Sequence, residues 1–327
     1  MYIEILNHVV PWGILVIMQI ASQDTAAGWI TEFLALEPPR SKSLVMTVIG
    51  DAIAPHGGRA WLGSLIELLA PFGVTDRLLR TSVFRLAQEG WLVARRDGRR
   101  SLYAIAPQAL ARLERANGRI YAAPGLHWEG RWTLVLAPNG SIDAQLRAAL
   151  RKELEWEGFA MLAPGVLAHP APNADSLGEI LARTGAAGKV FLCTASELPG
   201  GASRPLCELA QDAWDLRPEI DSYRQFSATF APLLALLQRD GAPLPAAAFA
   251  IRTLLIHAYR RVQLHDPMLP VELLPDPWPG SSAYALAGAI YRLVAGPAED
   301  HVLQVLRAEE PDAPLADSAY FARFGGL

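Results

Sequence analysis

The chain has 327 residues, of which 51% are hydrophobic and 19% charged, and its formal net charge is −4. This length exceeds what one ordinary hydrophobic core needs, so we expect a globular protein of two or three domains. The two cysteines, Cys193 and Cys207, form no C-x-x-C pair. They argue against a disulfide framework or a zinc site and favour a reducing compartment such as the cytoplasm.

The first 40 residues contain an apolar run, VVPWGILVIMQIAS (9–22). No Lys or Arg precedes it, Pro11 and Gly13 interrupt it, and it is shorter than the ~20 residues that span a bilayer. We therefore expect no role in a membrane. Residues 1–40 are predicted to be an N-terminal extension, either an additional packing helix or the product of a start codon placed too far upstream.

Three helices and a hairpin are predicted next. After the linker EPPRSKS (37–43), Ser43 is a candidate N-cap for a helix over 44–53. Apolar spacing predicts a second helix over 61–69, and Thr75 can cap a third that ends near Gln88. Asp97-Gly98 then lies between two β-prone runs, which is a strong hairpin signal. This order predicts a winged helix-turn-helix domain over 41–120.

Positive charge is concentrated in this segment. Between Thr75 and Arg119 there are ten arginines and four carboxylates, in a chain that is acidic overall. Leu79, Val83 and Leu86 would face the core, which leaves the arginines of the third helix on another face. One reading is a solvated charged surface. The favoured reading is contact with DNA phosphates and bases, for which the predicted residues are Arg77, Arg80, Thr81, Arg85, Arg95, Arg96, Arg99 and Arg100.

The chain resembles the PaaX family of bacterial repressors of phenylacetic acid catabolism. The resemblance rests on SLVMTVIGDAIAPHGGRAWLGSLIELLAPFGVTDRLLRTSVFRLAQEGWLVARRDGRRSLYAIAP, on AWDLRPEIDSYRQF (213–226) and on LLIHAYRRVQLHDPMLPVELLPDPWPG (254–280), and covers about residues 41–295. It implies a dimeric repressor that leaves DNA when an aryl-acetyl-CoA thioester binds, phenylacetyl-CoA being the usual ligand.

The middle of the chain, residues 121–205, is predicted to be a ferredoxin-like α/β sandwich. Strands are expected at RWTLVLAP (131–138), around the Pro-Gly turn of GFAMLAPGVLAHP (158–170), and at KVFLCTA (189–195), which reads as buried. Helices are expected from a Ser141 cap to about 157 and over 176–184. No nucleotide-binding or hydrolase motif is present. Dimerisation and simple scaffolding are equally consistent uses of this domain.

Residues 206–327 are predicted to form a mainly helical domain that responds to an effector. Helices are expected from about 213 with a kink or a boundary at Pro218, over 246–265 and over 282–294. The proline-rich run 265–280 is expected to be a stiff extended loop. This loop either walls a pocket or merely covers the core. Arginines suit the phosphates of CoA and aromatic rings suit its adenine. The predicted effector residues are Trp214, Tyr223, Arg224, His257, Arg260, Arg261 and Trp278.

The sequence contains no motif that favours an enzymatic function, so we expect that the protein is not an enzyme. The eight-residue spacing of His257 and His265 does not suit a helical metal pair, so we expect no metal, and no cofactor or catalytic residue is predicted. The favoured hypothesis is a cytoplasmic, homodimeric α+β multidomain repressor whose partners are double-stranded operator DNA and a CoA thioester. The alternatives are an acyl-CoA-handling enzyme whose basic segment grips CoA phosphates, and a scaffold or RNA-binding module.

Overall fold

The computed structural model describes residues 24–125, 128–196 and 206–327, so the apolar run 9–22 lies outside the described residues. The chain forms two compact units. The first contains the described residues up to Ala123 together with Arg224–Gln263 and Ser282–Leu327, and the second contains Pro124–Tyr223 and Leu264–Ser281. The predicted helical segment 206–327 therefore contributes residues to both units.

The first unit combines helices with a small antiparallel sheet. Up to Ala123 its elements are α1 (Ala26–Leu36), α2 (Ser41–Val48), β1 (Arg59–Trp61), α3 (Leu62–Leu69), α4 (Asp76–Gln88), β2 (Leu92–Asp97), β3 (Arg100–Ile105) and α5 (Pro107–Tyr121). The C-terminal half supplies most of α9 (Arg217–Asp240), α10 (Pro245–Gln263), most of α11 (Pro279–Glu309) and the short α12 (Ser318–Phe321). The strand order is β1-β3-β2.

Local sequence signals account for α4 and the hairpin. The Thr75 hydroxyl accepts a hydrogen bond from the Leu78 amide at 3.4 Å, and Gly90 ends the helix with a φ of 75°. Strands β2 and β3 pair in antiparallel register from Leu92↔Ile105 to Asp97↔Arg100. Gly98 turns the hairpin with a φ of 57°, a conformation that favours glycine. The predicted cap, helix and hairpin are confirmed.

Other predicted boundaries were wrong. Ser43 is not an N-cap, because α2 already begins at Ser41 and continues through a π-helical turn over Ile49–Ile53. The second helix begins one residue late, since Arg59–Trp61 is a strand paired with β3. Helix α11 does not stop at 294 but runs to Glu309 and contains Pro297. The physical reason is that apolar residues continue the helical spacing beyond 294 and are buried, namely Val302, Val305 and Leu306.

The second unit contains a four-stranded antiparallel sheet and two helices on its core side. The elements are β4 (Arg131–Leu136), α6 (Ala144–Trp156), β5 (Ala160–Ala163), β6 (Val166–His169), α7 (Ala174–Thr184) and β7 (Phe191–Ser196), followed by α8 (Leu206–Ala213). The sheet order β5-β6-β4-β7 and the β-α-β-β-α-β chain order agree with the predicted ferredoxin-like topology. The helices and two small sheets together confirm the α+β class.

Two details of this unit differ from the prediction. Helix α6 is capped by Asp143, whose carboxylate accepts the Leu146 amide at 2.7 Å, and not by Ser141. Strand β7 is not buried: Phe191 is 62% exposed and Leu192 50% exposed. The cause is position, since among the described strands β7 lies at the edge of the sheet and pairs with β4 alone.

The proline-rich segment is largely extended, as expected, with one short 3-10 turn at Val271–Leu273. Pro218 lies in the first turn of α9, which agrees with the predicted boundary. In the described part of the chain, no helix combines the length and apolar character needed to cross a membrane.

A buried carboxylate holds the first unit together. Asp51, in the π-helical turn after α2, is 2% exposed. Its Oδ1 accepts hydrogen bonds from the hydroxyls of Tyr121 at 2.7 Å and Tyr291 at 2.9 Å, and from Arg323 Nη1 at 3.1 Å. Its Oδ2 lies 3.0 Å from Arg252 Nε. One side chain thus joins α5, α10, α11 and the C-terminal turn.

The charges around Asp51 are balanced by further contacts. Arg252 Nη1 donates to the Tyr320 hydroxyl at 3.0 Å and to Glu299 Oε2 at 3.4 Å, and Glu299 lies 2.8 Å from His56 Nε2. Burial acts to lower the pKa of Arg252, but the Asp51 carboxylate and its neighbours outweigh it, so the pKa is raised and the guanidinium stays charged. The pKa of Tyr291 is raised well above its usual value, mainly by burial and further by the Asp51 carboxylate.

Removal of the Asp51 carboxylate should destabilise the first unit strongly. Asp51→Ala leaves two buried guanidiniums without their central anion, which is expected to cost ~3–5 kcal/mol of unfolding free energy. Urea unfolding, with circular dichroism as the signal, measures this loss. The matched control is Asp240→Ala, which removes an exposed carboxylate paired with Arg239 and should leave the unfolding free energy nearly unchanged. Equal losses in the two variants would contradict the central role of Asp51.

Candidate nucleic-acid interface

Helix α4 divides into a buried and an exposed face. The predicted core residues Leu79, Val83 and Leu86 are all 0% exposed. The opposite side is exposed and carries the four predicted DNA-binding residues of this helix, which are Arg77, Arg80, Thr81 and Arg85. In the part of the chain that the structure describes, no carboxylate lies within ion-pair distance of the guanidiniums of Arg77, Arg80 and Arg85. Their charge is therefore available to an external anion.

The hairpin extends this supply of positive charge. Arg95, Arg96 and Arg99 are exposed and have no carboxylate within ion-pair distance in the described ranges. Asp97, the acidic residue at the tip, faces Arg100 across the hairpin. Two or three guanidiniums on a narrow exposed ribbon suit a run of phosphates, which repeat at regular intervals along a nucleic-acid strand.

Arg100 differs from the other predicted contacts because the protein itself holds it. Its guanidinium stacks 4.0 Å over the Trp61 ring and donates to the Glu309 carbonyl oxygen at 3.2 Å. The Glu309 carboxylate also accepts from the amide and hydroxyl of Ser64, both at 3.2 Å, at the start of α3. Sequence reasoning missed this contact, because the residues are more than 200 positions apart and no local pattern relates them.

Four of the predicted effector residues lie in the first unit. His257 is buried, and its Nδ1 lies 2.9 Å from the Thr47 hydroxyl. Burial, with smaller contributions from Arg260 and Arg261, holds the pKa of His257 well below its usual range, so the ring is neutral at pH 7. Arg260 is 8% exposed, and Arg224 is exposed on α9. Arg261 Nη1 donates to Glu37 Oε1 at 2.9 Å.

The three aromatic residues proposed for the effector lie in the second unit, each buried against other parts of that unit. Trp214 donates from Nε1 to the Gly158 carbonyl oxygen at 2.8 Å. The Tyr223 hydroxyl donates to Asp266 Oδ2 at 2.6 Å, and its ring centroid lies 5.7 Å from that of Trp278. These rings contribute to the core of the unit. The seven predicted effector residues are thus divided between the two units.

Comparison with known protein families shows which family this chain belongs to. Three family models match successive parts of the chain: the PaaX-like protein model over residues 40–109, the PaaX protein central Cas2-like domain over 125–207, and the PaaX-like protein C-terminal domain over 214–304. The chain is also 39% identical over 292 residues to the Transcriptional repressor PaaX of Escherichia coli (strain K12), which covers 89% of this chain and 92% of the relative. The chain belongs to the PaaX family.

Among solved structures, this PaaX-family chain is similar to the uncharacterized protein Rv0674 from Mycobacterium tuberculosis. The identity is 26%, the match covers 79% of this chain and 98% of that one, and the TM-score is 0.47. The family model for the central domain spans the ferredoxin-like sheet described above, with its four strands between residues 131 and 196.

The buried His257 should make this PaaX-family protein sensitive to acid. In the unfolded chain the imidazole titrates near its ordinary pKa of 6.5, whereas in the folded chain its pKa is well below that value. As the pH falls below ~6.5 the unfolded state takes up a proton that the folded state does not. The stability present above that pH is then lost, by up to ~1.4 kcal/mol per pH unit.

The variant His257→Gln tests this expectation, because an amide can still hydrogen-bond to Thr47 but does not titrate. Urea unfolding between about pH 7.5 and about pH 5.5 should show a smaller loss of stability in the variant than in the wild type. Parallel losses in the two proteins would show that other groups govern the acid response.

Proposed function

We propose that this PaaX-family protein is a ligand-responsive transcriptional repressor that binds operator DNA through a winged helix-turn-helix over residues 41–120. The observation that carries the proposal is the exposed cationic face of α4 and the hairpin, whose arginines other than Arg100 have no carboxylate partner among the described residues. The name of the curated relative, a transcriptional repressor, supports the same function. A protein that acts on chromosomal DNA belongs in the cytoplasm, and its role in binding requires no enzymatic activity.

Under this proposal, α4 is the recognition helix and lies in the major groove. Its N-terminal residues would meet base edges and phosphates. The hairpin would lie along the backbone as a wing. One winged helix reads few base pairs, so we propose a homodimer on an operator with approximate two-fold symmetry, because two half-sites give the margin over non-specific sequence that one cannot. Light scattering of the protein, free and on DNA, tests the stoichiometry.

The arginines of α4 and of the wing should differ in their effect on DNA binding. Arg77→Ala or Arg80→Ala should weaken operator binding by ~1–3 kcal/mol where the arginine reads a guanine, with less effect on unrelated duplexes. Arg99→Ala should weaken binding to all duplexes alike and reduce the slope of log affinity against log salt by about one. Fluorescence anisotropy with a duplex from the region upstream of the protein's own operon measures both effects.

The matched control is Arg183→Ala, which removes an exposed arginine of α7 in the second unit and should leave DNA affinity unchanged. Unaltered affinity in the α4 and wing variants, with folding intact, would refute the assignment of the DNA-binding surface.

We further propose that an aryl-acetyl-CoA thioester, with phenylacetyl-CoA as the first candidate, releases the repressor from DNA. A ligand shifts an equilibrium only through its differential affinity for the two states, so the thioester must bind more weakly to the operator-bound form. A coupling of ~1–3 kcal/mol corresponds to a roughly 5–150-fold loss of operator affinity. Arg261 is the proposed phosphate contact, because it is the partly exposed cation of α10 and its guanidinium can fork onto two oxygens.

The ion pair between Arg261 and Glu37 supplies the control for this prediction. Arg261→Ala should leave operator affinity intact but blunt the release caused by phenylacetyl-CoA. Glu37→Ala breaks the same ion pair and retains the arginine, so it should preserve or increase the sensitivity to the thioester. If both variants lose release equally, the ion pair acts structurally and Arg261 is not the contact. Turnover of the thioester by the wild-type protein would instead support the alternative of an acyl-CoA-handling enzyme.

A further inference from the structure

Helix α4 carries an apolar residue where its other exposed residues are mostly polar or charged. Phe84 is 59% exposed, although a phenylalanine of this helix could have been buried with Leu79 and Val83 on the opposite face. At 100° per residue, Phe84 lies on the same line of the helix surface as Arg77, Thr81 and Gln88. It therefore occupies the centre of the face proposed to contact DNA, and not its edge.

Thr81, one turn before Phe84, adds to this apolar spot. Its hydroxyl donates to the Arg77 carbonyl oxygen of the same helix at 2.9 Å. This back-bond directs the oxygen towards the preceding turn and leaves the methyl group as the outer part of the side chain. A threonine that sequence alone suggests as a hydrogen-bonding residue thus offers a methyl group, three positions from the Phe84 ring.

The surrounding charge limits what can cover this spot. Arg77, Arg80 and Arg85 flank it, each exposed and without an ion-pair partner in the described part of the chain. The same face of a second copy would bring six guanidiniums together, which like-charge repulsion disfavours. A suitable partner is a polyanion, which suits the arginines, that also presents an apolar group to Phe84 and the Thr81 methyl group. In the major groove of DNA, the 5-methyl group of thymine is that apolar group.

We propose that Phe84, with the methyl group of Thr81, contacts a thymine 5-methyl group in each operator half-site and thereby selects T over C at that position. This inference rests on the proposed function and adds to it a specificity determinant that forms no hydrogen bond. Neighbouring arginines supply affinity through phosphates and guanines, whereas the apolar contact discriminates by a single methyl group.

Replacement of thymine by deoxyuridine tests the proposal, because it deletes the methyl group and alters no hydrogen-bonding atom of the base pair. The probe is a duplex that the protein itself selects from a random pool, with each thymine replaced in turn. One position in each half-site should lose about fourfold in affinity, the value for one buried methyl-sized group. In Phe84→Ala the same replacement should have a much smaller effect, because only the Thr81 methyl group remains, whereas Phe84→Leu should retain most of the effect.

The controls separate this proposal from the proposed function. Leu244→Ala removes another exposed apolar side chain, in the loop before α10, and should retain the wild-type response to deoxyuridine. Specific binding that is indifferent to every deoxyuridine, or equally sensitive in wild type and Phe84→Ala, would overturn the methyl contact and leave the repressor proposal standing. A change of oligomeric mass in Phe84→Ala, seen by light scattering, would assign the ring to a protein interface. Absence of any selected duplex would refute DNA binding itself.

Discussion

The buried Asp51 carboxylate is the interaction on which the first unit depends. A lone carboxylate in this environment would be costly, and the two guanidiniums and two tyrosine hydroxyls around it offset that cost. Because these partners come from α5, α10, α11 and the C-terminal turn, the predicted DNA-binding segment shares one core with the C-terminal helices. The segment 41–120 taken alone would expose Asp51 and lose the residues that neutralise it, so it is not an independent module in the way that many small DNA-binding domains are.

This shared core has a consequence for regulation. Hydrogen bonds of the Asp51 network are directional, so a displacement of α10 or α11 would act on the turn after α2, and α2 packs against α4. A second, more exposed connection runs from the end of α11, where Glu309 holds Arg100 and the start of α3. An effector bound to the C-terminal helices, as proposed, would therefore need no flexible linker to influence the proposed DNA-binding face. Both connections join elements of the same compact unit.

Sequence reasoning succeeded where structure is encoded locally. The Thr75 cap, the apolar stripe of α4 and the Asp97-Gly98 turn each depend on residues within a few positions, and all were predicted. It failed where position in the fold decides. Strand β7 has the apolar composition of a buried strand, yet it lies at a sheet edge, which no local pattern reveals. The predicted end of α11 was also wrong, because buried residues beyond 294, such as Val302 and Leu306, continue the helix to Glu309.

The cations of the C-terminal half show why the site is harder to predict than the fold. Polar residues in an otherwise apolar helix fit either a ligand pocket or a buried polar network, and the sequence does not distinguish them. In α10, Arg252 is completely buried and serves Asp51, while His257 is neutral and bonded to Thr47. The polar groups of these two residues are buried and already have partners within the protein, so they are poorly placed to bind a ligand. The arginines of α4 and the hairpin, apart from Arg100, are the reverse case, because they are exposed and no described carboxylate neutralises them. In an acidic chain, it is the separation of paired from unpaired arginines, and not their number, that marks the surface available to an anionic partner.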